Sequence, residues 1–198
     1  MECVNKMLDE RTLVILKPDA VARGIMGNII SRYENVGLKI VALKMVFATT
    51  EQLEEHYFKD DKWLMEKGKG IIKNKGYPED YDPKKAGKEI VDGLVQDMRI
   101  LPVIAMVLEG HNAVSVVRKI TGPTNVEEAL PGTIRGDYSH DTYALANVSD
   151  RPIITIVHAS GIVDEAKKEI NLWFKPEEIH TYEKADARFH YRKGDLKR

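Results

Sequence analysis

His158 closes the apolar run Ile154–Val157 and is followed by three small residues, Ala159, Ser160 and Gly161. The small residues clear space around the ring, and the segment beyond them has helical spacing. Ser160 predicts a helix N-cap, and a helix start presents unpaired N–H groups that favour an anion. Neutral imidazole is a competent nucleophile near pH 7. The same position also fits a purely structural histidine, satisfied by a neighbouring backbone group.

Other residues extend the phosphate reading. In PGTIRGD, Pro131 to Asp137, two glycines flank Arg135. Tight turns can hold a planar guanidinium fork against phosphate oxygens, although a solvated turn has the same composition. Arg118 and Lys119 come near a helix end, with Thr121 and Thr124 beyond. Lys17 ends a buried strand in ILKPDAVARG and points either to solvent or into a cleft. Together these residues supply a lysine, two guanidiniums and hydroxyls for a polyphosphate. Familiar alternatives are missing from the sequence: G-x-x-x-x-G-K-[ST], H-E-x-x-H, C-x-x-C and G-x-S-x-G. The stretch GKGIIK at Gly68 breaks the G-x-G-x-x-G pattern at its last position. No metal held by protein side chains is expected.

The elements that must position these residues follow from periodicity. Leu13–Leu16 predicts a buried strand. Met26, Ile29, Ile30 and Tyr33 predict a helix stopped near Gly37. Leu38–Ala48 is strand-like, and Thr49 or Thr50 opens a helix to Phe58. Residues 62–88 are rich in Lys, Gly, Pro and Asp with little apolar periodicity, which predicts an inserted, largely exposed excursion. A helix follows over Glu89–Met98, then a buried strand over Pro102–Leu108. Asn112 can cap a helix faced by Ala113, Val116, Val117 and Ile120. A long Gly- and Pro-containing segment leads to a fourth strand, Ile153–Val157. Val163, Ala166, Ile170 and Trp173 then mark a last helix. From about residue 175 a polar extension with scattered aromatics is expected to pack on a neighbour. The larger elements contain the order βαββαβ, which allows a ferredoxin-like sheet with helices on one face.

The chain has 198 residues, 43% hydrophobic and 31% charged, which fits a single domain, 1–198, with an insertion at about 62–88. A net charge of −1 gives no global electrostatic case for nucleic acid or an anionic membrane, and leaves room for a local basic pocket. Cys3 is the single cysteine, so an internal disulfide is excluded and a reducing compartment fits. The start has no apolar core of signal-peptide length, and ILPVIAMVL is too short to span a bilayer. A soluble, cytoplasmic chain is expected.

Six motifs in order carry a resemblance: LVILKPDAVARG, EHY (Glu55–Tyr57), R-x5-TN (Arg118–Asn125), PGTIRGD, VHAS (Val157–Ser160) and EI-x-LWF (Glu169–Phe174). Over Arg11–Tyr57 and Glu89–Tyr182 the chain resembles the nucleoside diphosphate kinases. The resemblance implies a ferredoxin-like α/β sandwich with an antiparallel four-stranded sheet. It implies a phosphotransferase that passes a γ-phosphoryl group from a nucleoside triphosphate to a diphosphate in a ping-pong cycle. His158 matches the histidine phosphorylated on its pros nitrogen. Lys17, Tyr57, Arg118, Thr124 and Arg135 match residues around the phosphates and sugar, and Glu169 and Ser160 match the pair that supports the histidine. The loop from Thr121 to Gly132 matches one that closes a side of the cleft. Mg2+ is implied as an ion that arrives with the nucleotide. A homo-oligomer is implied as well, and the long tail favours a hexamer over a tetramer.

The chain departs from the family pattern at three places. Thr155 stands where an asparagine usually contacts the sugar, Gly161 stands where an aspartate is common, and the 62–88 excursion displaces the segment that carries a base-stacking aromatic. The lengthened loops and the HASG form are similar to archaeal members. A nucleotide-binding regulatory protein that kept the fold without turnover is the alternative from another class.

Overall fold

The computed structural model describes residues 10–78 and 80–186; Cys3 lies outside them. Strand β1, Glu10–Leu16, is the centre of the fold, and every residue from Thr12 to Leu16 is buried. Side chains alternate across a strand, so Leu13 and Ile15 enter one core and Val14 and Leu16 the other. β1 pairs antiparallel with β3, Val103–Gly110, and with β4, Val157–Ala159. β2, Lys39–Val46, pairs antiparallel with β3 on its other side. The order β2-β3-β1-β4 is the ferredoxin-like arrangement expected.

Helices cover both faces rather than one. A sheet whose central strands are apolar on both sides needs two covers. Pro18–Ala22 (α1), Met26–Asn35 (α2) and Ala113–Thr121 (α6) contribute to the core that holds Val14 and Leu16. Thr50–His56 (α3), Pro83–Asp97 (α5) and Val163–Trp173 (α9) contribute to the core that holds Leu13 and Ile15. The other helices are α4, Asp61–Lys75, and two short ones, α7 (Ile134–Tyr138) and α8 (Tyr143–Val148).

The 62–88 excursion is not irregular. It falls within a helical hairpin, α4 and α5. Asp60 and Asp82 cap the two helices, accepting from Trp63 N at 2.8 Å and Lys84 N at 2.9 Å. Gly76, at φ 68°, ends α4 in the left-handed conformation. The helices meet backbone to backbone. A Cβ on Gly68 would fall 1.7 Å from the Pro83 carbonyl oxygen, and one on Gly87 2.1 Å from that of Leu64. Glycine contact replaces an apolar stripe, which is why hydropathy showed no helix pair. Gly87→Ala is therefore expected to destabilise the chain by at least about 1–3 kcal/mol through overpacking. Gly27→Ala, with open space around it, is expected to stabilise by up to ~1 kcal/mol. Urea unfolding of both variants measures the contrast.

Asn112 does precede α6, but it lies in the left-handed region without a side-chain cap bond. Residues 178–182 fold back on the chain's own sheet edge. β2 shifts register between Ile40 and Ala42, and the Val41 carbonyl there accepts from His180 N at 2.8 Å. Tyr182 Oη donates to the Ile40 carbonyl at 2.9 Å, and Lys44 pairs with Glu178 at 2.8 Å.

Candidate active site

His158 is the middle residue of β4, opposite Ile15, so its ring shares the face covered by α3, α5 and α9. The fourth strand was expected over 153–157. It begins only at Val157, because Ile156 takes a left-handed conformation at φ 64°. That is strained for a buried β-branched residue. The Ile156 carbonyl accepts from Lys17 N at 2.8 Å, which ties the end of β1 to the entry of β4.

Behind the ring stands Glu169 on α9. Its Oε1 is 2.9 Å from His158 Nε2. Nε2 is buried and no acceptor meets hydrogen-bond geometry there, so the contact is electrostatic. Ser160 was expected to cap the last helix. The N-cap is Ile162 instead, and the Ser160 hydroxyl donates to Glu169 Oε2 at 2.5 Å while accepting from Leu13 N at 3.3 Å. The vacated helix-entry role falls to Glu165, whose Oε2 accepts from Gly161 N at 2.5 Å.

In front of the ring opens a cleft of about 1000 Å³. Lys17, Tyr57, Arg118, Thr124, Arg135, Thr155 and His158 all line it; Ser160 and Glu169 do not, and support the ring from behind. Lys17 is buried in the cleft wall, and burial pulls its pKa down. Tyr57 Oη is buried with no partner, and burial raises its pKa. Arg135 is no flexible fork. It starts α7 from inside, 3% exposed, and donates from Nε to Thr155 O at 3.1 Å, from Nη1 to Gly122 O at 2.8 Å and from Nη2 to Val157 O at 2.6 Å. One N–H on each terminal nitrogen is left over for a ligand. Burial pushes its pKa down to about 10, still cationic at pH 7.

Two features of the site were missed in the sequence. The α4–α5 hairpin forms a cleft wall with Trp63, Ile71, Tyr77 and Ile90. His56, next to Tyr57 in EHY, packs edge-on to His158 with ring centroids 4.4 Å apart. Trp173 Nε1 donates to His56 Nδ1 at 3.3 Å, a contact across 117 positions that no local pattern signals.

Both imidazoles are neutral at pH 7. Burial, then the charge of Lys17 and, further down, of Arg135, pushes His158 down to about 3, with Glu165 opposing. Burial and then His158 push His56 down to about 3, with Glu169 opposing. Between the ordinary value of 6.5 and about 3 the unfolded chain binds protons that the folded chain refuses. This contribution is complete above pH 6.5 and is lost as pH falls toward 3, at up to about 1.4 kcal/mol per pH unit for each group. Burial raises Glu169, Asp19 and Asp97, which acts in the opposite sense. The difference between parent and His56→Phe isolates one imidazole, so the variant is expected to show a shallower loss of stability below pH 6.5 in denaturant titrations.

Among the described residues, His56, His158 and Glu169 are the only group of three or more such donors close enough to share a metal ion. Mg2+ prefers near-octahedral oxygen ligands, so this nitrogen-rich set suits it poorly. Among the described residues no helix is long and apolar enough to cross a membrane.

A neutral histidine backed by a carboxylate and facing a lysine and two arginines defines a phosphotransferase site. A family model described as nucleoside diphosphate kinase matches residues 10–67 and 58–179, two stretches that overlap at the start of the hairpin. A nucleoside diphosphate kinase of Pyrobaculum aerophilum is 47% identical over 180 residues, covering 86% of this chain and 97% of its own. One from Pyrococcus furiosus is 43% identical, covering 95% and 97%. The crystal structure of the NDP kinase from Pyrobaculum aerophilum superimposes with a TM-score of 0.81 at 45% identity, over 87% of this chain and all of that one. A transition-state mimic of the Borrelia burgdorferi enzyme with bound vanadate and ADP gives 0.77 at 34% identity, over 93% and 98%. The chain belongs to the nucleoside diphosphate kinase family. It is an enzyme of phosphoryl transfer between nucleotides.

Proposed function

We propose that the cycle runs through a phosphohistidine on Nδ1 of His158. The observation that carries this is the burial of Nε2 against Glu169 at 2.9 Å, which leaves Nδ1 as the ring nitrogen for the cleft. A proton on Nε2 is favoured beside the carboxylate and keeps the Nδ1 lone pair free. That pair attacks the γ-phosphorus of a nucleoside triphosphate, the bond to the β–γ bridging oxygen breaks, and the diphosphate leaves. A second diphosphate attacks the phosphohistidine and restores the neutral ring. Lys17, Arg118 and the spare N–H groups of Arg135 offset charge on the transferring oxygens, and Tyr57 and Thr124 add hydroxyl donors. Thr155, buried in the cleft wall, offers a hydroxyl toward the sugar. Glu169 and Ser160 keep the ring in one orientation. Mg2+ would come with the nucleotide as part of the substrate and would offset charge on its phosphates. The transition-state mimic of the Borrelia burgdorferi enzyme with vanadate and ADP supports phosphoryl transfer as the reaction.

The 62–88 segment is read as an insertion that walls the cleft, within a single domain spanning 1–198. The chain is placed in the cytoplasm. It is further read as a homo-oligomer, with a hexamer favoured over a tetramer. The exposed row Leu43 and Met45 on β2, with Phe47 just beyond its end, supports a contact with a second copy, since an apolar sheet edge left in water invites pairing. Light scattering of the full chain is expected to give a multiple of the 22.5 kDa monomer.

Incubation with Mg2+ and γ-labelled ATP, quenched in alkali, tests the cycle. An acid-labile phosphate on His158 that moves to an added, different nucleoside diphosphate is expected. ATP binding without label on His158 would overturn this reading and favour a regulatory nucleotide-binding role.

A further inference from the structure

The phosphoryl-transfer cycle leaves one imidazole beside the nucleophile unused. His56 has a fully buried side chain, and its Nδ1 lies 3.7 Å from Glu169 Oε1. The same oxygen lies 2.9 Å from His158 Nε2. Ser160 occupies the other carboxylate oxygen, so Oε1 faces the two rings without a hydrogen-bond donor of its own. Nε2 of His56 and Nε2 of His158 are both buried without a hydrogen-bond partner. One ligand atom from each of the three residues lies within 4.8 Å of the other two.

We propose that His56, His158 and Glu169 form an inhibitory site for a tetrahedral divalent cation of the zinc type. Two imidazoles and one carboxylate with an open fourth position are a donor set that Zn2+ accepts. Ligand atoms around such an ion stand about 3.3 Å apart, given bonds of ~2.0–2.1 Å. The separations of 2.9 and 3.7 Å bracket that value. The remaining gap closes by a shift of His158, the most exposed of the three side chains at 19%.

Inhibition follows from the tautomer. A neutral imidazole has one lone pair and one N–H. An ion on Nε2 of His158 places the proton on Nδ1, and the nitrogen that must attack phosphorus then has no free pair. His56 supplies a second consequence. Its Nδ1 lone pair is held by the Trp173 indole N–H. An ion on Nδ1 takes that pair directly, and an ion on Nε2 sends a proton to Nδ1. Either way the Trp173 hydrogen bond is lost, so this bond opposes the metal.

The binding half of the proposal is independent of the phosphohistidine cycle; the inhibitory half rests on it. Zinc chloride alone is titrated by calorimetry into the metal-free full-length chain. One zinc per chain is expected, weakened at least about tenfold in His56→Gln and strengthened in Trp173→Phe. Opposite signs in two variants guard against a mere folding defect. Equal zinc affinity in parent and both variants overturns the site. Labelling by γ-labelled ATP is then followed against zinc in parent and His56→Gln, each relative to its own zinc-free level. Suppression in the parent, with at least about tenfold more zinc needed in the variant, is expected. Zinc binding that follows the variants while labelling ignores zinc overturns the inhibitory role. Absence of labelling without zinc sinks the phosphohistidine reading and leaves the calorimetric result standing.

Discussion

His158→Asn is expected to lower nucleotide exchange by at least about 10⁴-fold and to abolish acid-labile labelling, while ADP still binds. The asparagine amide keeps polar bulk at the cleft floor but offers no lone pair of comparable nucleophilicity. The cations proposed to meet the polyphosphate come from elsewhere: Lys17 from the end of β1, Arg118 from α6 and Arg135 from α7. Calorimetry with ADP should therefore return an affinity near that of the parent. The variant carries a second, independent signature. His158 resists protonation in the fold, with its pKa held near about 3, so removing it should flatten the loss of stability below pH 6.5. A variant that loses exchange but keeps the parent's acid sensitivity would show that this ring is not the buried, neutral group described above.

The order of strands and core helices was legible because it rests on local periodicity. Leu13–Leu16, the Val163–Trp173 helix and the Met26–Tyr33 stripe each state their burial in the spacing of apolar residues. The hairpin was illegible for a physical reason: Gly68 and Gly87 let two backbones touch, and glycine leaves no hydropathy signal. Ser160 was misread because a serine before a helix has two uses. Local pattern suggests a cap, and only the tertiary arrangement brings Glu169 to its hydroxyl. His56 stood in a quoted motif, yet its partners Trp173 and His158 lie more than 100 positions away. Lys17, Arg118 and Arg135 do line one cleft, but the burial of Lys17 and Arg135 was not legible. Arg135 was read as a fork held by tight turns against phosphate oxygens, with a solvated turn as the alternative. The flanking glycines shape the loop, since a Cβ on Gly136 would fall 2.2 Å from the Leu130 carbonyl oxygen and Gly132 takes a left-handed φ of 91°. They let the loop close tightly enough to bury the guanidinium.

Arg135→Ala is accordingly expected to damage stability and catalysis together. The side chain satisfies three carbonyls, those of Gly122, Thr155 and Val157. These belong to the end of α6, the strained entry to β4 and β4 itself, so one side chain clamps the segments that flank His158. Truncation leaves the Gly122 and Val157 carbonyls without this donor, each at a cost of about 1–3 kcal/mol, while the Thr155 carbonyl keeps Val157 N at 2.6 Å; water entering the vacated space recovers part of the loss. A net loss of roughly 2–5 kcal/mol in urea unfolding is the expected result, from two unsatisfied acceptors of about 1–3 kcal/mol each less what water recovers. Turnover should fall by about 10²–10³-fold beyond any loss of folded protein, because the cation nearest the kinked entry to β4 is gone. Arg135→Lys separates the two effects. An ammonium keeps the charge but cannot span three diverging carbonyls in one plane. It should recover part of the turnover while most of the stability loss persists. Equal recovery of both would mean that charge alone, and not the planar clamp, accounts for this residue, and that the positive φ of Ile156 is held by other contacts.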